Sequence, residues 1–233
     1  MDGCHHLLRE ELVNALDQAY IATDNNRASH LLMRAELEGI ICSGKIKNNK
    51  ITYALLSEIV PKTKTLARDE ALAHLALKYF TSHCPATLQD FVWWSGLSVT
   101  VSRHALEMIK KKLVSETIDN KTYWFTDSTP ISQLGTDSVF LLPAYDEYII
   151  SYKDRTASLT LANFNKAVSI NGIFRPTIVI NGQVKGLWKR TIKKDKIILE
   201  TEFFETANKA TLQLIEKAAV QFENFMNKRV ELI

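Results

Sequence analysis

Apolar positions recur with a helical period through the first forty or so residues of the chain. Segments from about Leu7 to Ala19 and from Arg27 to about Glu38 predict two helices. On a 100° wheel Ala28, Leu31, Leu32 and Ala35 share one arc, and Arg27, His30 and Arg34 share another. Between the helices, Thr23-Asp24-Asn25-Asn26 offers short polar side chains to the free amides of the second, which ends at Gly39. The pattern then changes: Ile40-Ile41-Cys42, a polar loop from Lys45 to Lys50, and Ile51-Thr52-Tyr53-Ala54-Leu55 predict a short β-hairpin.

The same plan returns about 70 residues later. Helices are expected near Asp69–Ser82, Leu88–Trp94 and Val101–Leu113. In Pro85-Ala86-Thr87-Leu88-Gln89-Asp90, Thr87 caps the second of these, and Ser95-Gly96 ends it. A hairpin follows, with Ile118-Asp119-Asn120-Lys121 as its loop and Thr122-Tyr123-Trp124-Phe125 as its return strand. Thr52-Tyr53 and Thr122-Tyr123 hold equivalent places. Helices followed by a basic-tipped hairpin, twice in tandem, describe two winged-helix units of the helix-turn-helix kind, a grammar that points to nucleic acid.

Beyond Pro130 strands dominate. Phe174–Ile180, Asn181-Gly182 and Gln183–Ile192 form a hairpin whose Asn-Gly pair suits a type I′ turn. Lys193-Lys194-Asp195 turns into a strand over Lys196–Phe203. A closing helix from about Thr206 to Asn227 places Leu212, Ile215, Ala219, Phe222 and Met226 on its buried side. The chain is therefore of α+β class: a winged-helix unit over 1–60, a linker over 61–68, a second unit over 69–130, and a small β-barrel-like domain over 131–233 closed by the helix.

Composition narrows the function classes. With 233 residues and 46% hydrophobic content the chain buries one sizeable core or two to three small ones. No apolar run is long enough to span a bilayer, and the charged start (Asp2, Arg9, Glu10, Glu11) is not a secretory signal, so a cytoplasmic protein with no membrane partner is expected. Cys4, Cys42 and Cys84 lack metal-ligand spacing and read as reduced thiols, with no metal and no cofactor. Net charge is only +3, but from Asp137 to Leu199 ten Lys/Arg face five acids, and six of the ten lie between Lys185 and Lys196. Gly39 to Lys45 has phosphate-loop spacing, but Ile46 stands where Ser or Thr would hold magnesium and a helix precedes it, which argues against nucleotide binding.

Four ordered stretches carry a family resemblance: Leu-Leu-Met-Arg-Ala-Glu-Leu-Glu-Gly-Ile-Ile-Cys-Ser-Gly (31–44), Pro-Ala-Thr-Leu-Gln-Asp-Phe-Val-Trp-Trp-Ser-Gly-Leu (85–97), Leu-Leu-Pro-Ala-Tyr-Asp-Glu-Tyr (141–148) and Asn-Gly-Gln-Val-Lys-Gly-Leu-Trp (181–188). Together they resemble the AlkZ-like winged-helix family, which includes bacterial DNA glycosylases of alkylation and crosslink repair. The resemblance implies tandem winged helices and a β-barrel around a DNA channel. It also implies a Gln-x-Gln or Gln-x-Asp motif in a further N-terminal winged-helix region of active members. Gln18, Gln89, Gln133, Gln183, Gln213 and Gln221 form no such pair. The chain thus looks like the C-terminal portion of a family member, a natural short form or a truncated reading frame, binding duplex DNA without its own catalytic motif. The surface left bare by an absent N-terminal domain would offer a site of self-association.

Candidate DNA contacts are Arg27, His30 and Arg34 on the first basic helix face, then Arg103, Lys110 and Lys111 on the second. Lys153 and Arg155 follow the Tyr-Asp-Glu-Tyr run, and Arg175, Lys185, Trp188, Lys189 and Arg190 belong to the Asn-Gly hairpin, whose tip would approach the minor groove. Each set also has an ordinary reading, as a solvated helix face or a lysine-protected edge strand. Trp93-Trp94 is either a stacking platform for bases or, at helical spacing between Phe91 and Leu97, core packed against the wing. Asp146 is the candidate acid for catalysis. On a strand it and Glu147 would face opposite ways, and bonding to nearby amides or to Arg155 is the competing role. Three functions remain open: a DNA-binding module, a working glycosylase fragment using Asp146, and a protein-interaction scaffold.

Overall fold

The computed structural model describes residues 5–62, 64–127 and 137–233. Cys4, Thr63 of the linker, Pro130 at the second boundary and Gln133 lie outside them. The chain divides into two compact units, Met1–Leu66 and Ala67–Ile233.

The first unit runs β1 (Leu7–Leu8), α1 (Arg9–Gln18), α2 (Arg27–Leu37), β2 (Ile41–Ser43), β3 (Thr52–Leu55) and α3 (Leu56–Ile59). Leu7 and Leu8 are a strand and not the first turn of the helix, because they pair with Tyr53 and Thr52 and make β3 the centre of a three-stranded sheet. Ala28 and Leu32 are buried and Arg27, His30 and Arg34 exposed, as the wheel requires. The expected side-chain cap of α2 is absent. Asn26 adopts φ +65° and bonds no amide with its side chain, Thr23 Oγ1 donates to Asp17, and the carbonyls of Asp24 and Thr23 receive the first amides of the helix.

The second unit opens with α4 (Arg68–Ser82) and then repeats the order: β4 (Ala86–Thr87), α5 (Leu88–Ser95), α6 (Val99–Ile109), β5 (Val114–Ile118) and β6 (Lys121–Phe125). Its sheet order β4-β6-β5 matches β1-β3-β2. In both, a two-residue strand pairs with the hairpin's return strand and passes straight into a helix. Ser98 caps α6, which therefore starts two residues before Val101, and it ends at Ile109 in a 3-10 turn over Lys110–Lys112. Tyr79, Phe80, Phe91, Ala105, Leu106 and Ile109 form the core of this part.

The remainder comprises β7 (Val139–Leu142), α7 (Glu147–Ile150), α8 (Leu161–Ala167), β8 (Thr177–Ile180), β9 (Gln183–Ile192), β10 (Ile197–Phe203), α9 (Lys209–Met226) and β11 (Val230–Leu232). The strands make one sheet, ordered β11-β10-β9-β8-β7, antiparallel except for β10 with β11. Asn181 (φ +49°) and Gly182 (φ +77°) make the expected turn. One face of the sheet packs Ile178, Ile180, Trp188 and Leu199 on Leu214 and Ile215 of α9; the other packs Val179, Val184 and Leu187 on Ile149, Leu159, Ala167 and Val168. On α9 the buried stripe is Leu214, Ile215, Ala218 and Ala219, and Leu212 is 46% exposed. The close approach of the β10 backbone explains Gly186: a Cβ there would lie 2.5 Å from the carbonyl oxygen of Glu202.

Candidate nucleic-acid interface

Within the second unit a cleft of about 770 Å³ opens between α5, α6, the β5–β6 hairpin, the 153–156 loop and α8. Its apolar lining includes Leu88, Leu106, Trp124, Leu159, Leu161 and Phe164; Gln89, Asn120 and Thr122 add polar groups. Asp90 assembles it. Thr87 caps α5 by accepting the Asp90 amide (3.2 Å), and Asp90 Oδ2 accepts from Thr87 N (2.9 Å) and Oγ1 (2.7 Å). The other oxygen accepts the amides of Lys153 (2.9 Å) and Asp154 (3.3 Å). This carboxylate, only 3% exposed, therefore ties the loop to the start of the helix.

Four cations line the cleft: Arg103, Lys121, Lys153 and Arg155, with Asp90, Glu107 and Asp154 as acids. Asp154 pairs with Lys121 and accepts from Thr156 Oγ1 (2.7 Å) and N (3.0 Å). The Lys121 ammonium first, then these Thr156 bonds, hold its carboxyl well below the usual carboxylate range. Glu107 binds Lys110 at 3.0 Å, and the Lys110 ammonium lies over the Trp124 ring. Arg103 and Lys153 are exposed and make no ion pair among the described residues, so theirs is the unspent charge at the rim. Lys121 had no place among the sequence candidates; its position in the hairpin loop was visible, its partner across 33 residues was not.

Other candidates fall elsewhere. Arg155 is half-buried at the cleft. Its Nε donates to Ile149 O (2.7 Å), its guanidinium lies 5.1 Å from the Trp93 ring and 5.2 Å from the Phe174 ring, and burial lowers its pKa. Trp188 is 7% exposed, donates to Leu142 O (2.8 Å) and packs edge-on against Phe222, beneath α9 and away from solvent. The Asn-Gly tip is tied down: Tyr148 OH donates to Gly182 O (2.7 Å) and Ser138 N to Asn181 Oδ1 (3.0 Å). Arg175, Lys189 and Arg190 border a second cavity of about 490 Å³ that also contains Glu200 and Glu202, and Lys189 lies 3.5 Å from Glu200. Arg190 sits over Phe222 on the opposite strand face, and Lys185 is exposed at a third cavity. Lys111 is exposed in the 3-10 turn, while Arg34 is spent on Glu38.

Asp146 and Glu147 are not strand residues. Asp146 caps α7 by accepting from Tyr148 N (2.9 Å). Glu147 accepts from Ser151 Oγ, from Trp94 Nε1 (3.3 Å) and faces His83 Nε2 (3.4 Å), and the Ser151 bond is the main reason its pKa is lowered. Trp94 packs on Tyr79 and His83, and the wing contributes Trp124 to the same core. The Cys84 thiol donates to Thr81 O, and Cys42 lies on β2. Among the described residues no His/Cys/Asp/Glu group could hold a metal ion, and no helix is long and apolar enough to cross a membrane.

This architecture, two helix-and-hairpin modules ahead of a helix-backed sheet, is shared with a solved structure: the chain superposes on Streptomyces sahachiroi DNA glycosylase AlkZ with a TM-score of 0.72 and 19% identity, over 98% of this chain and 65% of that one. The match to the family described as DNA glycosylase AlkZ-like extends over residues 5–225, and the chain belongs to that family. It is 24% identical over 227 residues to the interstrand DNA cross-link repair glycosylase of Streptomyces sahachiroi, covering 91% of this chain. The chain spans 60% of the length of that relative.

Proposed function

We propose that this chain is a DNA-binding member of the family that holds double-stranded DNA, damaged duplex included, and does so without supplying the catalytic motif itself. The observation that carries the reading is the cleft of the second unit, where three acids are spent on backbone amides or lysines and Arg103 and Lys153 are left unpaired at the rim. Phosphates are the natural counter-charge for such a rim. The repeated element order and matching strand order support tandem winged helices over 1–60 and 69–130, joined by 61–68. The twisted sheet under α9 is read as a partial barrel over 131–233. Arg27 and His30 in the first unit, and Lys110 and Lys111 beside the cleft, are further contacts in this reading.

Fluorescence anisotropy on labelled duplexes, undamaged and abasic, across a salt series tests it. Paired Arg103→Glu and Lys153→Glu substitutions should weaken binding about tenfold or more and flatten the salt slope by about two. No binding at low salt overturns the reading and favours a protein-binding scaffold. Excision of alkylated bases that is lost in Asp146→Asn would instead make the chain a glycosylase in its own right.

A further inference from the structure

The family-like run Tyr145-Asp146-Glu147-Tyr148 is three-quarters explained by structure. Asp146 caps α7, Glu147 bonds Ser151, and Tyr148 ties down the Asn-Gly tip. Tyr145 is not. Its φ is +59°, in the left-handed region that a bulky side chain adopts only under constraint, and 51% of it is exposed. The exposed part is the end of a column. The Tyr145 ring lies 5.9 Å from that of Phe174, tilted by 49°; the Arg155 guanidinium lies 5.2 Å from the Phe174 ring and 5.1 Å from the Trp93 ring; and Trp93 is 50% exposed.

The column is firmly held. Trp93 Nε1 donates to Ile150 O (2.8 Å), Arg155 Nε donates to Ile149 O, and Phe174 forms a bridge with Val168. A core stack would have its ends covered; this one presents a half-exposed aromatic ring at each end with a cation inside. Arg155 also lines the cleft whose rim carries the unpaired Lys153. Flat π faces beside cations are what an unstacked nucleobase on a phosphate backbone requires, since every base has a π face and every nucleotide a negative charge.

We propose that the Tyr145–Phe174–Arg155–Trp93 column is a stacking site for an unpaired base of DNA. The proposal rests on the DNA-binding reading and assigns it a ligand feature, an unstacked base, that phosphate contacts alone do not select. Charge attracts the strand, and the column separates a strand with bases from one without.

The test compares a short single-stranded oligonucleotide with the same oligonucleotide carrying abasic residues, which keep the phosphates and lose the π faces. The full chain should bind the base-bearing strand about fivefold more tightly or better, and only that strand should quench the Trp93 component of emission, identified by its loss in Trp93→Phe. Tyr145→Gly suits the positive φ and removes the ring, so its Tm should hold or rise while the preference for bases shrinks. Tyr145→Phe should retain the preference. Equal affinity for the two strands, or a preference unchanged in Tyr145→Gly, overturns the proposal. Duplex binding measured in parallel separates the outcomes: its absence removes the broader reading, whereas duplex binding without base preference removes only this site.

Discussion

Replacing Asp90 by alanine removes four hydrogen bonds from two elements at once. On the α5 side the capping box is lost, about 1 kcal/mol. On the loop side the amides of Lys153 and Asp154 lose their acceptor; both residues are exposed, so water replaces part of the bond and about 1 kcal/mol each is reasonable. The sum is about 3 kcal/mol, which for a unit of this size lowers Tm by roughly 6–12 °C. Asparagine keeps one carbonyl oxygen but turns an NH2 toward one of the two donor sets, so about half the cost remains. Urea unfolding followed by tryptophan emission gives the free energies, and amide exchange at Lys153 and Asp154 should accelerate in both variants. Because the loop carries the rim, duplex affinity should fall with it. A cost below about 1 kcal/mol for Asp90→Ala, with exchange at both amides unchanged, would refute the view that this carboxylate assembles the cleft.

Acid sensitivity follows from Asp154 and Glu147, whose pKa values are lowered on folding, by Lys121 and Ser151 respectively before other causes. A depressed carboxyl stabilises the fold above its unfolded value of about 4 and loses that contribution as pH falls through the lower folded value. Stability should therefore drop below about pH 4, and Asp154→Asn and Glu147→Gln should be less stable at neutral pH but flatter on acidification, measured by thermal melts across pH. Gly186→Ala should cost about 2–3 kcal/mol in urea unfolding, because the clash is with the β10 backbone, which cannot swing aside as a side chain would. Trp188→Phe should cost about 1–2 kcal/mol through the lost bond to Leu142 O, and leave duplex affinity unchanged, since the ring lies under α9.

The sequence by itself determined the local elements. Helical periodicity located α1, α2 and α9, Thr87 and Gly96 bounded α5, and Asn181-Gly182 set the β8–β9 hairpin through two positive-φ positions. Those signals are local, carried within a few residues by caps, turns and period. The repeat was also legible, because the same local grammar occurs twice. What only tertiary structure decided is where side chains of similar chemistry end up. Leu7-Leu8 became a strand because Tyr53 and Thr52 paired with it, and Trp188 was taken into the core while Trp93, with the same indole, stayed half in solvent. Among the cations that line the cleft, Lys121 was spent on Asp154 and Arg155 was drawn against the Trp93 and Phe174 rings, leaving Arg103 and Lys153. Charge counted along a chain is blind to this, because a cation's availability depends on which carboxylate or ring the fold brings within a few ångströms, and the partners of Lys121 and of the Lys153 amide lie 33 and 63 residues away.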